Sequence, residues 1–223
     1  MGFFERYTNS KLYHYVDQFF RVIITNLLAV VTIVFGLFFF GIGAAIIAST
    51  YLTKLIFEKY EGPVIGVFYN AVKRNLKTSI KITLLFTVIL AILIFNTMFF
   101  FNSLELEFTW LGFIGFILMS LATFVSFNAY IHTLLLSTCY EQSKVFVLVK
   151  NGYVLTFGFF LRSIIFSLFS LGVLALVLWI PILGILVGVF LEAIVIYICF
   201  LKGYKKIPNF ENRDDMVADS YIK

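Results

Sequence analysis

Residues 82–104, ITLLFTVILAILIFNTMFFFNSL, contain no charged side chain. A helix needs about 20 apolar residues to cross the hydrocarbon core of a bilayer, and a charge near its centre costs on the order of 3 kcal/mol on insertion scales. The segment therefore predicts a membrane-spanning helix, with Lys81 just before it and Glu105 and Glu107 just after. Further charge-free windows lie on both sides, at 22–53, 108–140 and 163–191, and Glu192 alone separates the last from an apolar stretch at 193–201. The whole chain fits this pattern: 61% of its 223 residues are hydrophobic and 13% charged, against about 25% charged in a soluble domain. No Pro, Gly or Ser-rich linker divides residues 19–202, so we read 1–223 as a single membrane-embedded domain. Within it, 1–18 is an N-terminal amphipathic helix, 19–202 the bundle and 203–223 a cytoplasmic tail.

Two windows are too long for one helix. In 163–191, Trp179, Ile180, Pro181 and Gly184 mark a turn, because proline lacks a backbone donor. This splits the window into spans of about 157–178 and 182–202. In 22–53, Gly36, Gly41 and Gly43 suggest a fold-back into about 19–37 and 42–58. The expected fold is an all-α polytopic bundle of six spans, with five spans plus an interfacial helix as the alternative. Charge favours six: with an internal N-terminus, all 17 basic residues then fall on the cytoplasmic side. Both termini are expected there, in a multi-pass protein of a cell membrane. Trp110 and Trp179, the two tryptophans, fall at the opposite interface.

Residues 63–81, PVIGVFYNAVKRNLKTSIK, place Val64, Phe68, Val72, Leu76 and Ile80 at fourfold spacing, with Lys73, Arg74, Lys77 and Lys81 turned away. This reads as a basic amphipathic elbow in the headgroup layer, bending into the span near Ile82 and attracted to an anionic cytoplasmic leaflet. Similar elbows occur at 143–153 and 12–23, each near an asparagine (Asn151, Asn26), as Asn75 is in the first. A loose threefold repeat of helical hairpins accounts for the pattern. The net charge of +5 is spread through short connections, which suits lipid headgroups and argues against nucleic acid. Cys139 and Cys199 belong to no metal-ligand spacing. No cleavable signal is expected, since residues 1–21 lack an apolar run followed by small residues.

Glu192 is the most informative polar residue, because an ionisable group close to the bilayer midplane is a functional-site candidate by default. Arg162 is the candidate base on the neighbouring span, but helical registry sets it about 9 Å away along the axis. Asn26 and Asn128, with Ser120, Thr123 and Ser126, either line a polar interior or make ordinary interhelical hydrogen bonds. His14 and His132 are too few for a metal site. No HExxH, GxSxG, GxGxxG or Walker pattern occurs, so neither enzyme nor cofactor is expected.

The opening GFFERYTNSKLYHYVDQFFRVIITNLL, the glycines Gly36, Gly41 and Gly43 followed by Ala44 and Ala45, and FYNAVKRNLK at 68–77 together resemble the YesL family of small bacterial membrane proteins. The likeness is concentrated in residues 1–100. It implies a Gram-positive type of bacterial origin and genetic neighbourhood with carbohydrate ABC importers, and it supplies no catalytic residues. The expectation is an accessory or regulatory partner of importer permease subunits. The alternative is a small solute transporter or channel using Glu192.

Overall fold

A computed structural model describes residues 11–37, 40–60, 62–140, 144–204 and 221; the expectations for residues 1–10 and for most of the tail lie outside the described residues. Seven helices follow one another: α1 Lys11–Phe35, α2 Ile42–Phe57, α3 Val64–Leu106, α4 Trp110–Cys139, α5 Val145–Gly158, α6 Phe160–Trp179 and α7 Pro181–Tyr204. No strand occurs among the described residues. The fold is an all-α polytopic bundle. Five helices, α1, α3, α4, α6 and α7, are long and apolar enough to cross a membrane.

The fold-back after α1 is real, and it is tight. Leu37 takes a left-handed φ of 48°, and a Cβ on Gly41 would run into the Thr32 carbonyl oxygen. Glycine is required there because the returning chain passes directly over the last turn of α1. At the other end of the hairpin, the Arg21 guanidinium donates to the Tyr60 and Gly62 carbonyls, both at 3.1 Å, while its Nε reaches Asp17 at 2.6 Å. The start of α1 and the exit from α2 are thus clasped together.

α2, at 16 residues, is shorter than the five spans, and almost every position from Gly43 to Leu55 is buried. It packs against α1, α3, α4 and α7. Enclosure explains why Ser49, Thr50, Thr53 and Lys54 are tolerated in it. The threonine hydroxyls bond back along the helix, Thr50 to the Ile46 carbonyl at 2.7 Å and Thr53 to that of Ser49 at 2.8 Å, and Ser49 and Lys54 are buried away from lipid. The expected sixth span is therefore a short helix walled by four of the five longer ones.

The second elbow differs from expectation. Instead of bending near Ile82, residues 64–106 form one unbroken helix of 43 residues, about 65 Å long and roughly twice the hydrocarbon thickness. Its buried positions are Val64, Val67, Phe68, Ala71, Asn75, Ser79, Ile82, Thr83 and Phe86, a set that keeps to the 3.6-residue turn. A strict fourfold spacing overshoots each turn by about 40°, so it has rotated by roughly 160° between residues 64 and 80. Leu76, expected inside, is accordingly exposed, and Asn75 and Ser79 lie inside. This face packs on α2: Gly43 sits so close to Ser79 and Thr83 that a Cβ would meet Thr83 Oγ1 at 2.5 Å.

Beyond Phe86 the character changes. No residue from Thr87 to Leu111 is buried, and large apolar side chains such as Phe95, Met98 and Phe99 face outward from the α3–α4 hairpin. That is the surface expected where lipid is the solvent. Thr109 caps α4, its hydroxyl accepting from the Gly112 amide at 3.1 Å. Trp110 and Trp179 occupy two hairpin tips and are largely exposed. The third elbow extends slightly past its expected end, as α5, and meets α6 at Phe159, whose φ of −112° and ψ of 33° break the helix.

Candidate functional site

Three of the polar side chains singled out in the spans, Asn26, Glu192 and Arg162, lie along the seams where α7 meets its neighbours. α7 begins with a π-helical turn at Gly184–Gly188. A widened turn leaves main-chain groups without their usual partners four residues away, and such turns frequently mark functional sites. Here Asn26 of α1 enters it. Its Nδ2 donates to the Ile185 carbonyl, and its Oδ1 accepts from the Phe190 amide at 3.0 Å. The side chain is wholly buried. The carboxamide thus replaces helix hydrogen bonds and ties the first span to the last.

One turn further, Glu192 is partly buried and accepts a hydrogen bond from the Ser170 hydroxyl of α6 at 2.5 Å. Arg162 does not join it. The guanidinium donates to the Cys199 carbonyl at 3.2 Å and lies over the Phe159 ring, 5.6 Å from its centroid. Glycine at 203 makes room, since a Cβ there would strike Arg162 Nη1. Acid and base thus serve two different α6–α7 contacts, seven residues apart on α7.

Asn128 sits on the α4–α6 seam, where its Nδ2 donates to the Ser167 hydroxyl and to the Phe124 carbonyl, both at 2.9 Å. Its Oδ1 is buried without a protein partner, as are Ser49 Oγ and His132 Nε2. These three atoms do not form a metal-ligand set, and no group of three or more His, Cys, Asp and Glu side chains occurs among the described residues. Lys73, Arg74, Lys77 and Lys81 share the outward face of α3 and are all exposed. The structure therefore divides the candidate residues into helix–helix seams and one basic outer face.

A set of tyrosines went unread in the sequence. Tyr51 bonds to Thr138 at 2.8 Å, Tyr130 to Thr83 at 3.1 Å and Tyr153 to Ser126 at 3.0 Å. Tyr204 bonds to His132, and Tyr221 to Asn75 at 2.7 Å. Because Thr138 gives its own proton to the Leu135 carbonyl at 2.7 Å, the Tyr51 hydroxyl must be the donor in the first pair. The available signal was the use of tyrosine at these positions in a chain with 29 phenylalanines. A ring chosen with a hydroxyl, where phenylalanine would fill the same space, implies a buried partner.

Taken together, the geometry defines an integral-membrane-type helical bundle whose interior polar groups join helix to helix. Residues 22–97, from within α1 to the upper half of α3, match the model of a family described as a protein of unknown function, DUF624. No curated protein and no solved structure matches the chain.

Proposed function

We propose that the chain is a non-enzymatic accessory or regulatory membrane protein of the YesL type. It sits in a bacterial cell membrane with both termini cytoplasmic and contacts permease subunits of a carbohydrate ABC importer through its spans and the basic face of α3. The observation that carries the reading is the engagement of the polar groups in the spans with one another. Asn26 is spent on α7, Glu192 on Ser170 and Arg162 on a main-chain carbonyl. Transport or catalysis calls for such groups to face a substrate. Lys73, Lys77 and Lys81 point outward from the rod of α3, a row suited to an anionic leaflet or an acidic partner surface. The permease as partner follows from the family resemblance, with which the match over residues 22–97 is compatible.

The test is cross-linking in native membranes followed by affinity purification of the full chain. Recovery of importer permease subunits, reduced when Lys73, Lys77 and Lys81 are changed to glutamine, is the expected result. A second reading, a small solute transporter or channel, draws on the partial exposure of Glu192 and the unpartnered Oδ1 of Asn128. Solute flux by the purified protein in liposomes, abolished by Glu192→Gln, would replace the first reading with the second.

A further inference from the structure

Asn96 lies within the charge-free stretch 82–104 of α3, eight residues from its outer end. That is about 12 Å along the helix, which sets the side chain inside the hydrocarbon layer. Its carboxamide is only half used. One Nδ2 proton goes back to the Ile92 carbonyl at 2.7 Å, while the other proton and Oδ1 have no partner among the described residues. Asn26 and Asn128 are wholly buried on seams between helices, whereas Asn96 is partly exposed.

The next residue fixes which way Asn96 faces. Thr97 points across the α3–α4 hairpin, its hydroxyl 3.4 Å from that of Thr123. Successive helical residues are turned by about 100°, so Asn96 is set on the flank of the hairpin, beside the exposed Ile92 and Phe99. No residue from Thr87 to Leu111 is buried, and this flank is left open among the described residues. Lipid tails can satisfy neither a free N–H nor a free carbonyl, so the site is costly until something polar meets it.

What the flank lacks is a group offering one acceptor and one donor at a single depth. A second Asn96 offers both. Two copies inserted in the same orientation carry their Asn96 side chains at the same level, and a two-fold axis along the membrane normal sets the free N–H of each opposite the Oδ1 of the other. A different helix would need a matching polar group at that one level. We infer that the chain pairs with a second copy of itself through the open flank of α3, with the two Asn96 carboxamides exchanging reciprocal hydrogen bonds at the centre. Ile92 and Phe99, one turn to either side, supply the apolar contact around them. The pairing holds equally for an importer accessory and for a transporter.

The experiment reconstitutes the full chain in phosphatidylcholine liposomes. A donor or acceptor dye is attached through Glu107→Cys in a chain lacking Cys139 and Cys199, and energy transfer is followed as the protein is diluted with lipid. With Asn96 in place, transfer is expected and should fall on dilution as it does for a dimer. Asn96→Leu should raise the dissociation constant about tenfold, the factor for two interhelical hydrogen bonds of average strength. Asn96→Gln keeps a donor and an acceptor and should restore most of the pairing, which a mere change of packing would not do. Asn102→Leu removes an exposed asparagine six residues nearer the end of α3 and should change nothing. A protein that stays monomeric at every lipid ratio would overturn the assignment. Transfer that Asn96→Leu leaves unchanged, or that Asn102→Leu reduces as much, would overturn it too.

Discussion

Asn26 Oδ1 accepts the Phe190 amide proton at 3.0 Å, across a gap of 164 residues in sequence, just past the π-helical turn of α7. Asn26→Leu keeps the volume and removes both hydrogen bonds. We expect a loss of about 1–3 kcal/mol, the penalty for leaving buried main-chain groups unsatisfied, read as a lower midpoint in thermal unfolding of the detergent-solubilised protein. An unchanged midpoint for Asn26→Leu would mean that α7 rewinds and that the asparagine is dispensable.

Among the described residues, a hydrogen bond from Ser170 ties the intramembrane acid Glu192 to α6. A double-mutant cycle using Ser170→Ala and Glu192→Gln should return a coupling of about 0.6–1.7 kcal/mol, the range measured for hydrogen bonds between membrane helices. Additive effects of the two substitutions would count against the contact.

Gly152 of α5 lies against α4, where a Cβ would collide with Thr133 Oγ1 and come within 2.8 Å of the Ala129 carbonyl oxygen. Gly152→Val has to push two helices apart. It should cost about 1–3 kcal/mol, as overpacking does, and size-exclusion chromatography should show a reduced monodisperse fraction. Gly158→Val is the control, because a Cβ there meets nothing within 4 Å. If both variants behave alike, close α4–α5 packing is not what matters.

Lys77 and Glu107 stand near opposite ends of the same helical rod and are both exposed. With cysteine placed singly at each position in a chain lacking Cys139 and Cys199, a membrane-impermeant maleimide should label Glu107→Cys in intact cells. Lys77→Cys should react only after permeabilisation. The reverse pattern would invert the proposed orientation, and labelling of both in intact cells would remove it.

The apolar rods could be read from the sequence because lipid imposes a composition, and Pro181 and the glycines of the first turn marked where the chain reverses. The interior was harder to read. A fourfold stripe in residues 64–80 looks amphipathic on paper, but the helix turns at its own pitch and brings Asn75 and Ser79 inside, where hydropathy would not put them. The π-helical turn that receives Asn26 leaves no local sequence mark, since its stabilising partner lies in another span. Glu192 could be recognised as unusual from its position alone. Which hydroxyl it takes depends on the α6–α7 registry, and that follows from packing around Gly184 and Gly188 against Val177.

Concealment of α2 has a consequence for biogenesis. The ribosome delivers this segment before α3, α4 and α7, the very helices that wall it in. A 16-residue stretch with four hydroxyl side chains, Ser49, Thr50, Tyr51 and Thr53, and Lys54 is a poor candidate to partition into lipid unaided. It must therefore be held beside its α1 partner, at the translocation machinery or the membrane edge, until later segments arrive. The helix at the centre is made before most of its walls and is housed after them.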